Sequence, residues 1–336
     1  MIVADFAAAR LPDGVIVEGP SSRRPTVRAI QLQQTSAGPA LIEADLPSPK
    51  AGPGELLIRV HAAGVTPTEL LWYPTTHQQS GEARTGAVPG HELSGVVEAL
   101  GAGVEGPPVG AAVFGMNDWF ADGATAELCV TRPEWVAAKP AGLSHAEAAS
   151  APIGALTAWQ GLYERAGLQA GESVLVHGGA GAVGIYAVQL ARRRGARVVT
   201  TGSARNRYFL LELGADQVLD YHTERFDEVL QGLDVVFDVI GGETLERSWG
   251  VLKPQGRMVT IAAASEGTQD ERTKQAFFIV EPKGDQLAEI AKLLDAGELR
   301  PIVQSVAAFA DAPAAYLHPA KGRGKVVIDV AGAAEA

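Results

Sequence analysis

The sequence predicts an α/β protein that combines a β-rich domain with a doubly wound parallel sheet. Three observations lead to this fold class. The chain has 336 residues, more than one hydrophobic core usually organises, so two domains are expected. Residues 1–140 contain short β-like runs broken by glycine and proline. From about residue 150 onward, strands alternate with helical segments, which is typical of a parallel sheet covered by helices.

The individual elements follow from these patterns in chain order. The β-like runs of the first part span residues 26–33, 55–62, 96–100, 111–114 and 124–131. In the second part, six predicted strands complete a doubly wound sheet, at residues 173–177, 197–201, 218–220, 234–239, 257–261 and 277–280.

The last part of the chain is expected to return to the first domain. A helix at residues 285–295 is followed by strands at 302–306 and 325–330, with a short helical stretch between them. The chain is therefore divided into three predicted regions: an N-terminal extension (1–26), a discontinuous β-rich domain (27–149 and 297–336) and a parallel-sheet domain (150–296).

Composition excludes several classes of protein. The chain is 46% hydrophobic and 20% charged, which excludes wholesale disorder. Its net charge of -11 repels phosphate backbones and anionic lipids, so no nucleic acid and no membrane is expected as a partner. The longest uncharged stretch, residues 173–191, contains a glycine cluster that predicts a strand, a turn and a helix rather than a membrane span. A single cysteine, Cys129, and the lack of a signal or transit pattern predict a cytoplasmic protein.

The strongest chemical signal is the glycine pattern that follows the strand at 173–177. Gly179, Gly181 and Gly184 satisfy GxGxxG, with Ala182 and Val183 between the last two. The first glycine allows a tight turn, the second lets a pyrophosphate approach the backbone, and the third lets helix and strand pack closely. The pattern predicts a dinucleotide-binding turn, and a glycine turn without a ligand is the alternative.

The end of the second strand indicates which dinucleotide binds. An NAD site usually places Asp or Glu there to hold the ribose 2′-hydroxyl, but residues 199–207 contain no acid. Ser203 can donate to a phosphate oxygen, and either Arg205 or Arg207 can supply a charged fork. We therefore predict NADP(H), with two solvated surface arginines as the alternative.

With these residues the chain resembles the medium-chain dehydrogenase/reductases, and within them the zinc-independent quinone oxidoreductase branch. The resemblance extends from about Thr26 to Val330. The segments that carry it are residues 88–97 (VPGHELSGVV), 123–127 (GATAE), 154–159 (GALTAW), the glycine turn, 237–242 (FDVIGG), 275–282 (QAFFIVEP) and 322–328 (GRGKVVI). It implies a GroES-like catalytic domain, a Rossmann cofactor domain, a cleft between them, and a homodimer formed through the edge of the Rossmann sheet.

The same resemblance raises the question of zinc, because His91 and Glu92 lie in a pattern similar to that of zinc alcohol dehydrogenases. A catalytic zinc needs about three protein ligands. The zinc members of the family have a cysteine in the loop at residues 64–69 and another ligand near residues 151–155, and here both stretches lack Cys and His. We therefore predict no metal, and His91 and Glu92 are expected to form a buried hydrogen-bonded pair in the cleft wall.

The resemblance also implies candidate catalytic residues. Thr66 stands where zinc members have the metal cysteine, and Thr68 stands where they have a proton-relay hydroxyl. Tyr73 lies in the cleft-lining segment and can donate to an acceptor oxygen. A wall aromatic and turn-capping threonines are the alternatives.

Further cofactor contacts are implied by position. Those near the nicotinamide and its carboxamide are Thr157, Val239, Ile240, Ala262, Phe278 and Ile279. Tyr221 is assigned to the adenosine phosphate pocket, and Lys325 to the pyrophosphate.

These observations predict an NADPH-dependent, zinc-free oxidoreductase that transfers hydride to a quinone or an α,β-unsaturated carbonyl. Such acceptors delocalise the charge that hydride brings, so a Lewis acid is not required. The alternatives are an NADP-dependent alcohol/aldehyde dehydrogenase with an atypical metal site, and a non-catalytic NADP-binding interaction protein. The apolar run at residues 277–280 would be a sticky sheet edge in a monomer, which also favours a dimer.

Overall fold

The computed structural model describes residues 17–18, 25–35, 38–319 and 321–332. Most of the predicted N-terminal extension lies outside these residues. The strands are β1 Val17–Glu18, β2 Thr26–Thr35, β3 Gly38–Pro47, β4 Leu56–Gly64, β5 Glu92–Leu100, β6 Ala112–Met116, β7 Leu128–Thr131, β8 Val136–Ala138, β9 Ser173–Val176, β10 Arg197–Gly202, β11 Gln217–Asp220, β12 Leu233–Asp238, β13 Leu252–Thr260, β14 Val303–Ala308 and β15 Lys325–Asp329.

The α-helices are short, and most of them follow the strands of the second half of the chain. They are α1 Tyr73–Thr76, α2 His145–Ala149, α3 Pro152–Trp159, α4 Gly184–Arg193, α5 Arg207–Glu212, α6 Phe226–Val229, α7 Gly242–Ser248, α8 Glu271–Ala276, α9 Gly284–Asp295 and α10 Ala312–Leu317.

The β-rich part is built on one large sheet. Its main path runs β14-β15-β4-β5-β6-β8, and the hairpin β2-β3 lies apart from it. Both ends of the described chain contribute, because β15 pairs antiparallel with β4. Nearly all residues of β4 and β5 are buried, and Leu56, Ile58, Val60, Leu93 and Val97 belong to the largest apolar cluster of this part. The predicted domain boundaries stay predictions.

The second sheet is parallel, with the order β11-β10-β9-β12-β13. Its central strands are apolar on both faces, as expected of strands covered by helices on each side. The order reverses between β10 and β12, on the two sides of β9. A crevice opens at the carboxyl ends of the strands at such a point, and the glycine turn after β9 lies there. The predicted architecture, a β-rich part plus a doubly wound parallel sheet, is confirmed.

Two predicted details are wrong. The run at residues 277–280 is not a sixth strand: it makes one bridge, between Thr260 and Phe277, and the side chains of Phe278 and Val280 are buried in the core. Phe278 and Val280 are therefore used in packing rather than displayed at a sheet edge, whereas Ile279 is 54% exposed. The strand β3, in contrast, was not predicted, because its alternation is interrupted by charged residues on the exposed face.

Candidate active site

The glycine turn connects β9 to α4 and has the geometry of a phosphate cradle. A Cβ at Gly184 would collide with the carbonyl oxygen of Gly178, so only glycine lets α4 pack against the turn. Gly181 is exposed, and the N–H groups of Ala182 and Val183 have no hydrogen-bond partner within the described chain. Free N–H donors at the N terminus of a helix suit the pyrophosphate of a dinucleotide.

The predicted 2′-phosphate residues follow β10 on the same edge of the sheet. Ser203 is half-buried, and Arg205 is exposed with no side-chain partner among the described residues. The guanidinium of Arg207 donates to the carbonyl oxygen of Val218 at 3.0 Å. Arg205 is therefore the arginine that is free to bind a phosphate. Tyr221, 59% exposed, lies at the end of the neighbouring strand β11.

A third arginine joins this group, and sequence reasoning missed it. The Nε of Arg323 donates to Asn206 Oδ1 at 2.8 Å, and its Nη2 donates to the carbonyl oxygen of Arg205 at 3.0 Å. The guanidinium also lies over the ring of Phe209, 4.5 Å from its centroid. Arg323 lies two residues before the start of β15, so only its place in the 322–328 motif could have drawn attention to it.

Apolar side chains lie at the expected nicotinamide end. Val239 and Ile240 follow β12, and a Cβ on Gly178 would contact both of them. Ile240 and Ile279 are 55% and 54% exposed, so this surface offers apolar area to a ligand.

The other three predicted contacts in this region are buried: Ala262, Phe278 and Thr157. The Thr157 hydroxyl donates to the carbonyl oxygen of Ile153 at 2.6 Å, so it is already used within α3. A nicotinamide contact through this hydroxyl stays a prediction.

Strand register brings Lys325 to the substrate side of the cleft. Because Val327 pairs with Gly64, Lys325 lies opposite Thr66 at the end of the same ladder. The Lys325 ammonium donates to Thr66 Oγ1 at 3.1 Å and forms an ion pair with Glu92, which lies on β5. Lys325 is 4% exposed, and the predicted pyrophosphate contact of this residue stays a prediction.

Glu92 is held from a second side. Its Oε2 accepts from the backbone N–H of Ile153 at 3.0 Å, in the first turn of α3, where the helix dipole favours a negative charge. A Cβ on Gly64 would lie 2.5 Å from Glu92 Oε1, so the glycine leaves room for this carboxylate. Thr66 and Ile153 lie in the two stretches that hold zinc ligands in the zinc members of the family. Here Thr66 contacts the Lys325 ammonium and Ile153 contacts the Glu92 carboxylate, which are paired with each other.

His91 and Glu92 are both buried as predicted, but they do not bond to each other. His91 Nδ1 is 3.1 Å from Asn117 Oδ1, which must accept, so the Nδ1 carries the proton. Burial lowers the pKa of His91 to about 4, so this imidazole is neutral at physiological pH.

Glu69 is a second buried carboxyl in this cluster, and sequence analysis did not select it. It is fully buried; Oε1 accepts from the N–H of Gly90 at 3.2 Å, while Oε2 has no hydrogen-bond partner within the described chain. Burial raises the pKa of Glu69 to about 8, so the carboxyl is protonated at neutral pH.

Aromatic residues form the outer wall of the cleft. Tyr73 is 50% exposed and stacks on His77 with ring centroids 4.4 Å apart, while Trp119 contacts the rings of both Trp72 and His91. Thr68 is exposed on the 3₁₀ turn before α1.

An open cavity of about 540 Å³ lies beside this wall, between Gln78, Arg84, Asp118 and Phe120. Its polar lining suits the distal part of a small molecule.

No group of three or more His, Cys, Asp or Glu side chains in the described ranges could hold a metal ion. Among the described helices, none is both long and apolar enough to cross a bilayer.

Comparisons with known proteins agree with this architecture. The family profile for the alcohol dehydrogenase GroES-like domain matches residues 52–157, and the profile for zinc-binding dehydrogenases matches residues 213–328. The chain is 32% identical to 2-methylene-furan-3-one reductase of Solanum lycopersicum, with 85% of this chain and 74% of that protein covered. It is 30% identical to the NADPH-dependent alkenal/one oxidoreductase, chloroplastic, of Arabidopsis thaliana, with 85% and 75% covered.

A solved structure shows the same fold. The quinone oxidoreductase from Coxiella burnetii superposes with a TM-score of 0.83 at 30% identity, covering 91% of this chain and 99% of that one. The protein belongs to the medium-chain dehydrogenase/reductase superfamily, with a GroES-like domain and a Rossmann-type parallel sheet. It is an oxidoreductase that uses a nicotinamide cofactor.

Proposed function

We propose that the protein is an NADPH-dependent, zinc-free reductase of quinones or α,β-unsaturated carbonyls. The observation that carries this proposal is the Lys325–Glu92 ion pair beside Thr66. An ammonium group already compensates the carboxylate that would otherwise attract a metal, and a second cation beside it would be repelled. Relatives named as enone, alkenal and quinone reductases support the same class of acceptor.

The residues of the cleft bind and orient both reactants. The free N–H groups of Ala182 and Val183 would hold the pyrophosphate, while Val239, Ile240 and Ile279 would form the apolar surface beside the nicotinamide. The bound nicotinamide supplies a hydride. Negative charge then develops on the acceptor oxygen, where Thr66, Thr68 or Tyr73 supplies a hydrogen bond, and a proton from solvent completes the reduction.

The cofactor proposal is NADP(H) rather than NAD(H). Ser203 and Arg205 offer a hydroxyl and an unpaired guanidinium beside the end of β10, and Arg323 adds a second positive charge next to them. No acidic side chain is present in residues 199–207 to hold a free 2′-hydroxyl.

The proposed activity is tested by a panel of acceptors. With NADPH present, we expect oxidation of the cofactor by at least one quinone, enone or enal, and little or none by simple aldehydes, because only the former delocalise the charge that follows hydride transfer. The loss of NADPH absorbance measures the rate. Exclusive activity with alcohols or saturated aldehydes would contradict the proposal, and NADPH binding without turnover of any acceptor would support a non-catalytic binding protein instead.

We further propose a homodimer in a reducing, cytoplasmic compartment. Dimerisation through the edge of the Rossmann sheet is implied by the family, and β13 is an edge strand of the parallel sheet. The reducing compartment rests on the single cysteine, Cys129, which is free and buried. Light scattering at micromolar concentration is expected to give twice the chain mass of 35.0 kDa, and a monomer would contradict this part.

A further inference from the structure

We propose that Lys325 is a positioning residue that makes Thr66 the hydrogen-bond donor to the acceptor oxygen, so that an ammonium and a hydroxyl take the place that a metal has in zinc members of the family. This inference rests on the proposed reductase function. It assigns Thr66 the contact with the substrate, and it gives Lys325 a role other than pyrophosphate binding.

The direction of one hydrogen bond is the first step of the argument. A lysine ammonium has three donors and no acceptor, so Thr66 Oγ1 must accept in its 3.1 Å contact with Lys325 Nζ. Thr66 has no other side-chain hydrogen bond within the described part of the chain. Its own O–H is therefore free to donate, and the residue is only half-buried, so a ligand can reach it.

The positive charge is the second step. An ammonium in contact with the hydroxyl oxygen draws electron density from the O–H bond and stabilises negative charge that develops on whatever the hydroxyl contacts. Lys325 is 4% exposed, so solvent screens this effect only weakly. An enolate or hydroquinone anion formed by hydride transfer is the species that benefits.

The ion pair with Glu92 keeps the ammonium in position. Glu92 is fully buried and anchored to the Ile153 N–H, so it acts as a rigid support on β5. Gly64, between the two partners on β4, carries no side chain that would block their contact. The three strands β15, β4 and β5 thus orient Lys325 toward Thr66.

The glycine before Lys325 places this cluster beside the cofactor site. Gly324 donates to the carbonyl oxygen of Ala180 at 2.9 Å and forms a bridge with Gly181 in the glycine turn. It has φ +74, and a Cβ there would collide with the carbonyl oxygen of Ile302, so only glycine fits. Thr66 is therefore held at the crevice where the dinucleotide crosses the sheet.

The test compares Thr66→Val, Lys325→Met and their double variant. We expect each single change to lower kcat by about 10²- to 10³-fold, as for the loss of one oxyanion donor, with the NADPH dissociation constant within about twofold of wild type. The double variant should be little worse than the worse single variant, because both changes remove one interaction. Thr66→Ser, which keeps the hydroxyl, should retain most of the rate.

A binding measurement gives a readout that does not require turnover. para-Nitrophenolate mimics the enolate or hydroquinone anion, and its affinity for the wild-type protein should fall about tenfold in Thr66→Val and in Lys325→Met. Lys325→Met with Glu92→Gln keeps the cluster neutral if Lys325→Met alone does not fold. Lys253→Met, which removes an ammonium paired with Asp234 at the far end of the strands, is the matched control and should change neither readout.

Three results would overturn the inference. The first is a Lys325→Met variant that loses NADPH affinity by tenfold or more but keeps kcat, which assigns Lys325 to the pyrophosphate. The second is a Thr66→Val variant with the wild-type kcat and phenolate affinity. The third is a double variant whose loss of kcat equals the product of the two single-variant losses, because the two residues would then act independently. If no acceptor is reduced, the proposed reductase function fails and the catalytic role of Thr66 fails with it; phenolate binding that still depends on both residues would then show an anion site without turnover.

Discussion

Replacing Arg205 by alanine should weaken NADPH binding by about 10- to 100-fold and leave NADH binding nearly unchanged. The Arg205 guanidinium has no partner among the described residues, so its donors are available to the 2′-phosphate that NADH lacks. One charged hydrogen bond of roughly 1.5–3 kcal/mol would be lost, and each 1.4 kcal/mol is tenfold in affinity. The expected signature is a collapse of the NADPH/NADH preference, measured by titration with each cofactor.

Arg207 provides the matched comparison. Its guanidinium already donates to Val218, so Arg207→Ala should change the preference less than Arg205→Ala does. Arg323→Ala should have an intermediate effect, because this guanidinium is tied to Asn206 and the Arg205 backbone but stays exposed. A wild-type protein that prefers NADH, or a double Arg205/Arg207 variant that still prefers NADPH, would show that the end of β10 does not recognise the phosphate.

The free energy of unfolding of the wild-type protein should fall as pH rises from about 4.5 to 8, because of Glu69. Replacing Glu69 by glutamine should abolish this part of the pH dependence. The pKa of Glu69 is about 8 in the folded protein against 4.5 for the ordinary side chain, so between these values the folded state holds a proton that the unfolded state has released. Glu69 therefore contributes stability that is fully present below pH 4.5 and is lost as pH rises through about 8. The slope is about 1.4 kcal/mol per pH unit.

Denaturant unfolding of both proteins at several pH values measures this effect. Between pH 5 and pH 7, the stability of Glu69→Gln relative to wild type should rise by about 2–3 kcal/mol, because glutamine has no proton to release. Effects of groups that do not contact Glu69 cancel in this difference, whereas His91, whose Nε2 is 3.9 Å from Glu69 Oε2, is followed separately with His91→Gln as a second background. Glu105→Gln, at an exposed position, is the control and should give a flat difference. A flat difference for Glu69→Gln as well would mean that Glu69 is ionised in the folded protein.

Local patterns were sufficient to predict the strand ends and turns to which we assign the cofactor. The glycine turn, the arginines after β10 and the apolar residues after β12 each lie within a few positions of a strand end, and parallel strands place their carboxyl ends on one edge. The run at 277–280 was misassigned because composition cannot distinguish an apolar strand from an apolar loop buried by its neighbours.

The contacts of Lys325, Glu69 and Arg323 could not be predicted from local patterns. The contact of Lys325 with Thr66 depends on the register between strands that are more than 250 positions apart in sequence, and a shift of one residue would turn Lys325 to the other face of the sheet. Glu69 gave no signal because a single carboxyl in a polar turn usually faces solvent. Arg323 reaches Asn206 only because Gly324 bonds to the glycine turn.

Zinc content measured together with turnover tests metal-free hydride transfer most directly. The protein is treated with a chelator, its metals are quantified by elemental analysis, and NADPH oxidation is followed with the best quinone or enone of the panel. We predict far less than one zinc per chain and undiminished turnover, because Lys325 and Thr66 provide the electrophile. About one tightly held zinc per chain, whose removal abolishes turnover and whose return restores it, would contradict this prediction.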